Sequence, residues 1–342
     1  MNEIKALLEE LCSVSGTSGD EGAVAEICER ELAKYAKTKR DALGNVIGEA
    51  GGGDFHIMLD AHMDRIGFIV TAIDKETGFL RVTSLGGNDR RVLAAAEVTV
   101  YGKKPLFGVI TSTPPHLAGE GDKDALDFDK LSIDIGLSYE EAIKTVSPGD
   151  RVTVTGAFKE LLNGRVTGTA LDDRAGIAAV LRALEKLKDT PHNCKITAVF
   201  SSREEVGGSG ARAASFGLMP NEAIAVDVSF ATAPGVSEPE ASPLGGGVII
   251  CCAPVLDFAM FDKLKEAATK NNIPYSVEVN GRDSGSDADT ILSAGAWVKT
   301  AVLFIPQRNM HSASEVVDIN DIEHTAELIA QYILSKGGNK NA

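Results

Sequence analysis

The sequence is poor in aromatic residues, in basic residues and in paired cysteines, and each shortage removes a class of function. Aromatics make up 5% of the 342 residues, with a single tryptophan. That is thin material for the sugar platforms of a long glycosidase cleft. Lys and Arg number 34 against 49 Asp and Glu, for a net charge of -15, so the clustered cations that phosphate binding needs are missing and nucleic acid is not an expected partner. No apolar run approaches membrane-spanning length, and no charged start leads into a leader-like apolar stretch. A membrane is therefore not an expected partner either. The cysteines, Cys12, Cys28, Cys194, Cys251 and Cys252, are odd in number and lack CxxC spacing. They read as reduced core residues, and the chain as an acidic cytoplasmic enzyme.

What is present is an α/β pattern. The chain is longer than one hydrophobic core usually holds, which suggests a large domain and a smaller one. Ile4, Leu7, Leu8 and Leu11 share a helical face, and further helices are expected at about Glu21 to Tyr35, Ala175 to Leu187 and Asp257 to Lys270. Ile322, Ala326, Ile329 and Ile333 mark a last one. Between about Gly67 and Glu160 the character changes to short β-type runs separated by Gly and Pro turns, with one helical segment at Tyr139 to Lys144. Residues 67–160 are thus expected to form a small β-rich domain serving assembly or access, inserted into a discontinuous catalytic domain of residues 1–66 and 161–342. His116, after Pro114-Pro115, reads as a turn residue, and Gly337 to Ala342 as a polar tail.

Chemistry concentrates where strands end. In Phe200-Ser-Ser-Arg-Glu-Glu-Val-Gly-Gly-Ser-Gly, Glu204 and Glu205 follow an apolar strand at its carboxyl end, the place where open α/β sheets set their ligands. A solvated acidic turn is the plain alternative. His62 ends the run Phe55-His-Ile-Met-Leu-Asp-Ala-His, with Asp64 placed to fix its tautomer as an outer carboxylate. Asp172 and Asp173 precede an Ala-rich helix, where one of the two suits an N-cap and leaves the other spare. Asp227 is expected at the end of another strand, and His311 follows a third. Ser284, Ser286 and Asp287 either line a pocket or cap a helix.

His62, Asp172, Glu205, Asp227 and His311 would thus meet on one sheet edge. Two imidazoles and three carboxylates suit Zn²⁺, Co²⁺ or Mn²⁺ better than Ca²⁺ or Mg²⁺. With one carboxylate bridging, the set can serve two divalent metal ions, leaving Glu204 free as general base. The Gly208-Ser-Gly-Ala-Arg-Ala segment imitates a dinucleotide fingerprint. However, Ser201 to Val206 separate it from the strand, and two glutamates would repel a pyrophosphate.

In Ser15-Gly-Thr-Ser-Gly-Asp-Glu, Ala61-His-Met-Asp, Gly86-Gly, Ala170-Leu-Asp-Asp-Arg, Glu204-Glu-Val-Gly, Val226-Asp-Val and His311-Ser-Ala-Ser-Glu, the sequence resembles metallopeptidase family 42 along nearly its whole length. These are the dinuclear aminopeptidases that include glutamyl, deblocking and cellulase M-like proteins. The resemblance implies a zinc-peptidase-like central mixed sheet flanked by helices. It also implies His62 and Asp227 on one metal, Glu205 and His311 on the other, Asp172 bridging, Glu204 as base and a cis peptide between Asp172 and Asp173. Peptides with a free N-terminus are the implied substrates, and a homo-oligomer, up to a twelve-subunit shell, the implied assembly, with residues 67–160 as its dimerisation or assembly domain. A deacylase or glycan hydrolase on the same site is the alternative. One position departs from the family pattern: Arg65 stands where an acidic residue is usual. It either faces the site and favours acidic N-terminal residues, or forms a surface salt bridge.

Overall fold

A computed structural model describes residues 2–112, 116, 127–236, 241–295 and 297–337. The last five residues of the polar tail lie outside these, and His116 sits exposed in a turn. An 11-stranded mixed sheet organises the molecule. Its centre is a parallel set: Cys194–Ser201 pairs with Phe55–His62, which pairs with Glu222–Phe230, which pairs with Lys299–Arg308. Because Ser201 lies opposite His62 in this register, the carboxyl ends of neighbouring strands open onto one edge.

Both faces of the sheet are covered, as a parallel centre requires. Successive side chains of a strand point to opposite faces. In Phe55–His62, Ile57, Leu59 and Ala61 accordingly join the core with Leu8, Ile177, Leu264 and Ile329, while Met58 joins a second core with Val199, Ala214, Ile291 and Val302. The first core lies under the helices Asn2–Ser13, Gly22–Leu32, Leu171–Leu187, Phe258–Lys270 and Ile319–Gly337. The second lies under Ser209–Leu218 and Ala288–Ile291. Among the described residues no helix is long and apolar enough to cross a membrane.

The chain leaves the sheet after His62 and builds a closed six-stranded barrel from Gly67–Ile73, Leu80–Leu85, Glu97–Tyr101, Pro105–Ile110, Ser132–Asp134 and Arg151–Val154. Phe68, Val70, Leu80, Val98, Val100 and Ile133 fill it. It returns through Lys159–Glu160 and Arg165–Gly168 to the far side of the large sheet.

Two details differ from the sequence-based reading. Asp227 lies inside its strand, which runs on to Phe230. A strand Lys37–Arg40 had no apolar signal; it forms the sheet margin by pairing with Val46–Gly51.

Candidate metal centre

The loop after Cys194–Ser201 turns sharply. Arg203 adopts φ 64, Glu204–Val206 make one 3-10 turn, and Gly207 and Gly208 follow at φ 111 and 65. Asp64, fully buried two residues past the neighbouring strand, holds this turn: its carboxylate accepts from the Glu204 N–H at 2.9 Å, the Glu205 N–H at 3.2 Å and the Ser18 hydroxyl at 2.6 Å. Both glutamates are therefore aimed by one carboxylate bound to their main chain. The His62 tautomer is set differently from the sequence expectation. Its Nδ1 donates to the backbone carbonyl of Asp64 at 3.0 Å, while the Asp64 carboxylate stays 3.5 Å away. That leaves Nε2 directed into the site.

Asp172 lies between the two histidines. Its Oδ1 is 3.0 Å from His62 Nε2, and its Oδ2 is 3.3 Å from His311 Nε2. Asp227 Oδ1 stands 3.8 Å from His62 Nε2, and Glu205 Oε1 stands 3.5 Å from His311 Nε2. The peptide between Asp172 and Asp173 is cis. Asp173 caps the helix by accepting from the Gly176 N–H at 3.0 Å, while its second oxygen is buried without a partner. Two groups of donor atoms result, each within 4.8 Å: His62, Asp173 and Asp227 in one, Asp172, Glu205 and His311 in the other. Asp173 is thus placed among possible donors as well as at the cap, a double position its N-cap spacing could not reveal.

The barrel supplies the last wall. His311 Nδ1 donates to the Gly87 carbonyl at 2.9 Å. A Cβ on Gly86 would meet Glu205 Oε2 at 2.8 Å, and one on Gly87 would meet His311 Nδ1 at 2.9 Å. Only glycine permits this approach.

Burial and the close packing of charges shift the groups of the cluster strongly. Burial, with Asp227 and Asp287 nearby, pushes the Glu204 carboxyl up to about 9 against the pull of His62. Burial and then Asp172 push Glu205 up to about 8, and burial likewise raises Asp173 and Asp227. The histidines move the other way from what burial alone would do: the hydrogen bond to Asp172 and the nearby Asp227 carboxylate hold His62 well above its ordinary value, and Asp172 and Glu205 raise His311 to about 10. So many buried acids around two imidazoles call for additional positive charge. The N/O donor set is one that a borderline divalent cation fits.

Arg65 departs from the salt-bridge expectation. It is buried and makes no ion pair among the described residues; its guanidinium donates to Thr169 Oγ1 at 3.0 Å and the Val154 carbonyl at 3.3 Å. It borders a cleft of ≈ 720 Å³ between barrel and sheet, whose walls include Asn88, Arg91, Phe230, Arg308 and His311. Ser284 lines another cleft, and its loop is tied down internally rather than capping the short helix Ala288–Ile291: Ser284 N–H donates to Asp289 at 2.9 Å, and Asp287 takes the Ser201 hydroxyl at 2.7 Å.

Residues 44–328 match the family described as M42 glutamyl aminopeptidase. The chain belongs to that family. It is a metal-dependent aminopeptidase, a hydrolase of peptide bonds. A lysyl aminopeptidase of Pyrococcus furiosus is 36% identical over 299 residues, 85% of each chain. Aminopeptidase APDkam598 of the archaeon Desulfurococcus kamchatkensis superposes with a TM-score of 0.91 at 31% identity, covering 98% of this chain and 95% of its own. The TET1 peptidase of Pyrococcus horikoshii gives 0.86 at 34% identity, covering 97% and 99%.

Proposed function

We propose that the site holds two divalent cations, Zn²⁺ or Co²⁺ in first place and Mn²⁺ in second, and that the enzyme removes the N-terminal residue of peptides with a free α-amino group. The observation that carries this is Asp172, whose two oxygens each approach one histidine. In this reading His62 and Asp227 serve one ion, Glu205 and His311 the other, and Asp172 both. When bound, such ions lower the pKa of water and polarise the scissile carbonyl.

The chain's own groups do the rest. Glu204, bound to none of these donors and aimed by Asp64, takes the proton of the attacking water. As oxygen adds to the carbonyl carbon and the C–N bond breaks, the same carboxyl returns that proton to the departing amine. Carboxylates around the site receive the substrate's ammonium group. Asp64 acts by holding the turn, and His62 stays oriented by its bond to the Asp64 carbonyl.

TET1 of P. horikoshii is described as assembling into a tetrahedron or a large octahedral shell, and we assign the barrel of this chain a comparable assembly role. The five cysteines are free, which agrees with a reducing, cytoplasmic setting.

The test is hydrolysis of a panel of aminoacyl-anilides by chelated protein resupplied with each metal, beside the N-acetylated panel. Metal-dependent cleavage of the free amines alone is expected. Cleavage of neither panel with metal bound would point instead to the deacylase or glycan-hydrolase reading.

A further inference from the structure

Glu315 opens the strand Glu315–Asp318 and is buried. Its two carboxylate oxygens part: Oε2 accepts from the Asp172 N–H at 3.3 Å, and Oε1 from the His311 N–H at 3.2 Å. One side chain therefore holds the main chain of two residues whose own side chains face each other at 3.3 Å. The two segments are far apart in the chain, the start of the helix Leu171–Leu187 and the loop after Lys299–Arg308.

His311 needs such a hold. At φ 61 it occupies the left-handed region that non-glycine residues rarely adopt, close behind Asn309 at φ 56. Glu315 fixes its N–H and Gly87 fixes its ring Nδ1. Neither His62 nor Asp227 shares this support: His62 is bonded to the Asp64 carbonyl, and Asp227 accepts from the Val228 N–H at 2.7 Å. Arg65 completes the arrangement, its buried guanidinium anchored at Thr169, three residues before Asp172. Among nearby anions it is Glu315 that most favours its charge.

We propose that Glu315 is a positioning residue for one half of the site, fixing His311 and the shared Asp172 through their amides and thereby setting the affinity of the Glu205–His311 metal position. The His62–Asp227 position is less dependent on it, since His62 braces Asp172 from the other side and Asp173 lies within reach. This inference rests on the two-ion reading above.

Calorimetric titration of chelated protein with Zn²⁺ tests it without turnover. Wild type takes up two ions. In Glu315→Ala one binding event stays unchanged while the other weakens roughly 10–100-fold, the range for residues that orient metal ligands. Glu315→Gln, which keeps one acceptor oxygen and the shape of the side chain, falls between and serves if the alanine variant does not fold. His311→Ala identifies the affected event by removing the same one. If wild type takes up two ions and the Glu315 variants weaken both equally or neither, the inference is overturned alone. A wild type that takes up fewer than two ions overturns the two-ion reading, and the inference with it.

Discussion

The barrel and the edge of the large sheet are built on opposite terms. The barrel is filled mainly by apolar side chains, from Phe68 and Val70 to Val146 and Val152, with only uncharged Thr153 and Ser132 buried beside them in its strands, so burial favours its folded state. A few residues away, the edge of the sheet packs Asp64, Asp172, Asp173, Asp227, Glu204, Glu205 and Glu315 around His62 and His311. Arg65 and Arg174 bring the buried guanidiniums that act on Glu315. Burial opposes the charged form of each of these acids that is raised. One region stabilises the molecule whether or not a ligand is present; the other gathers buried charge that a bound cation would compensate. The same chain thus places its strain where its chemistry is.

Breaking the shared donor gives the largest effect. Asp172→Asn removes the carboxylate that reaches both histidines. Turnover should fall beyond the ~100-fold typical of changes around the ligands, and metal analysis should show both ions weakened. Loss of one ion only would mean that Asp172 is not shared. Next comes Asp64→Asn, which sets an amide N–H₂ against one of the Glu204 and Glu205 amides. A drop in kcat of about 10–100-fold with two ions retained is expected; unchanged kcat would sever the link from Asp64 to Glu204.

The third prediction uses pH. In chelated protein Glu204, Glu205 and His311 stand near 9, 8 and 10, all above their ordinary values. Folded chain therefore binds more protons than unfolded chain from about pH 5 to pH 9, and stability must fall as pH rises through that window. The melting temperature of chelated protein should drop by several degrees between neutral and alkaline pH, and saturating metal should flatten the curve. A chelated protein whose melting temperature rises with pH would contradict the charge account. The smallest effect on chemistry belongs to the barrel: Leu80→Ala should cost about 2–5 kcal/mol of stability, equally at both pH values, with kcat per folded molecule unchanged. A loss of metal in that variant would tie the two regions together more closely than their cores suggest.

How much of this was legible follows the same division. The central strands are short apolar runs bounded by turns, so Phe55–His62, Cys194–Ser201 and Glu222–Phe230 could be read from composition, and with them the edge where His62 and the glutamates lie. Asp227 was placed at a strand end because its charge interrupts the apolar run, yet pairing with Lys299–Arg308 carries the strand past it. Lys37–Arg40 has no apolar alternation to read; hydrogen bonding to its neighbour makes it a strand. Local spacing could assign only a cap to Asp173, since the second oxygen's surroundings come from distant segments. Glu315 had a faint signal, four residues after His311, but its other contact lies 143 residues away. Arg65 reads either as facing the site or as a surface ion pair, and the sequence does not decide between them; Thr169 and Val154, distant in the chain, give its guanidinium partners inside.

The division of labour between the adjacent glutamates is the centre of the account, and comparing Glu204→Gln with Glu205→Gln tests it most directly. Turnover and bound metal are measured on both. Glu204→Gln should keep two ions and lose about 10²–10⁴-fold in kcat, while Glu205→Gln should weaken the ion beside His311. Metal loss in Glu204→Gln with both ions firmly held in Glu205→Gln would contradict the account and exchange the two roles.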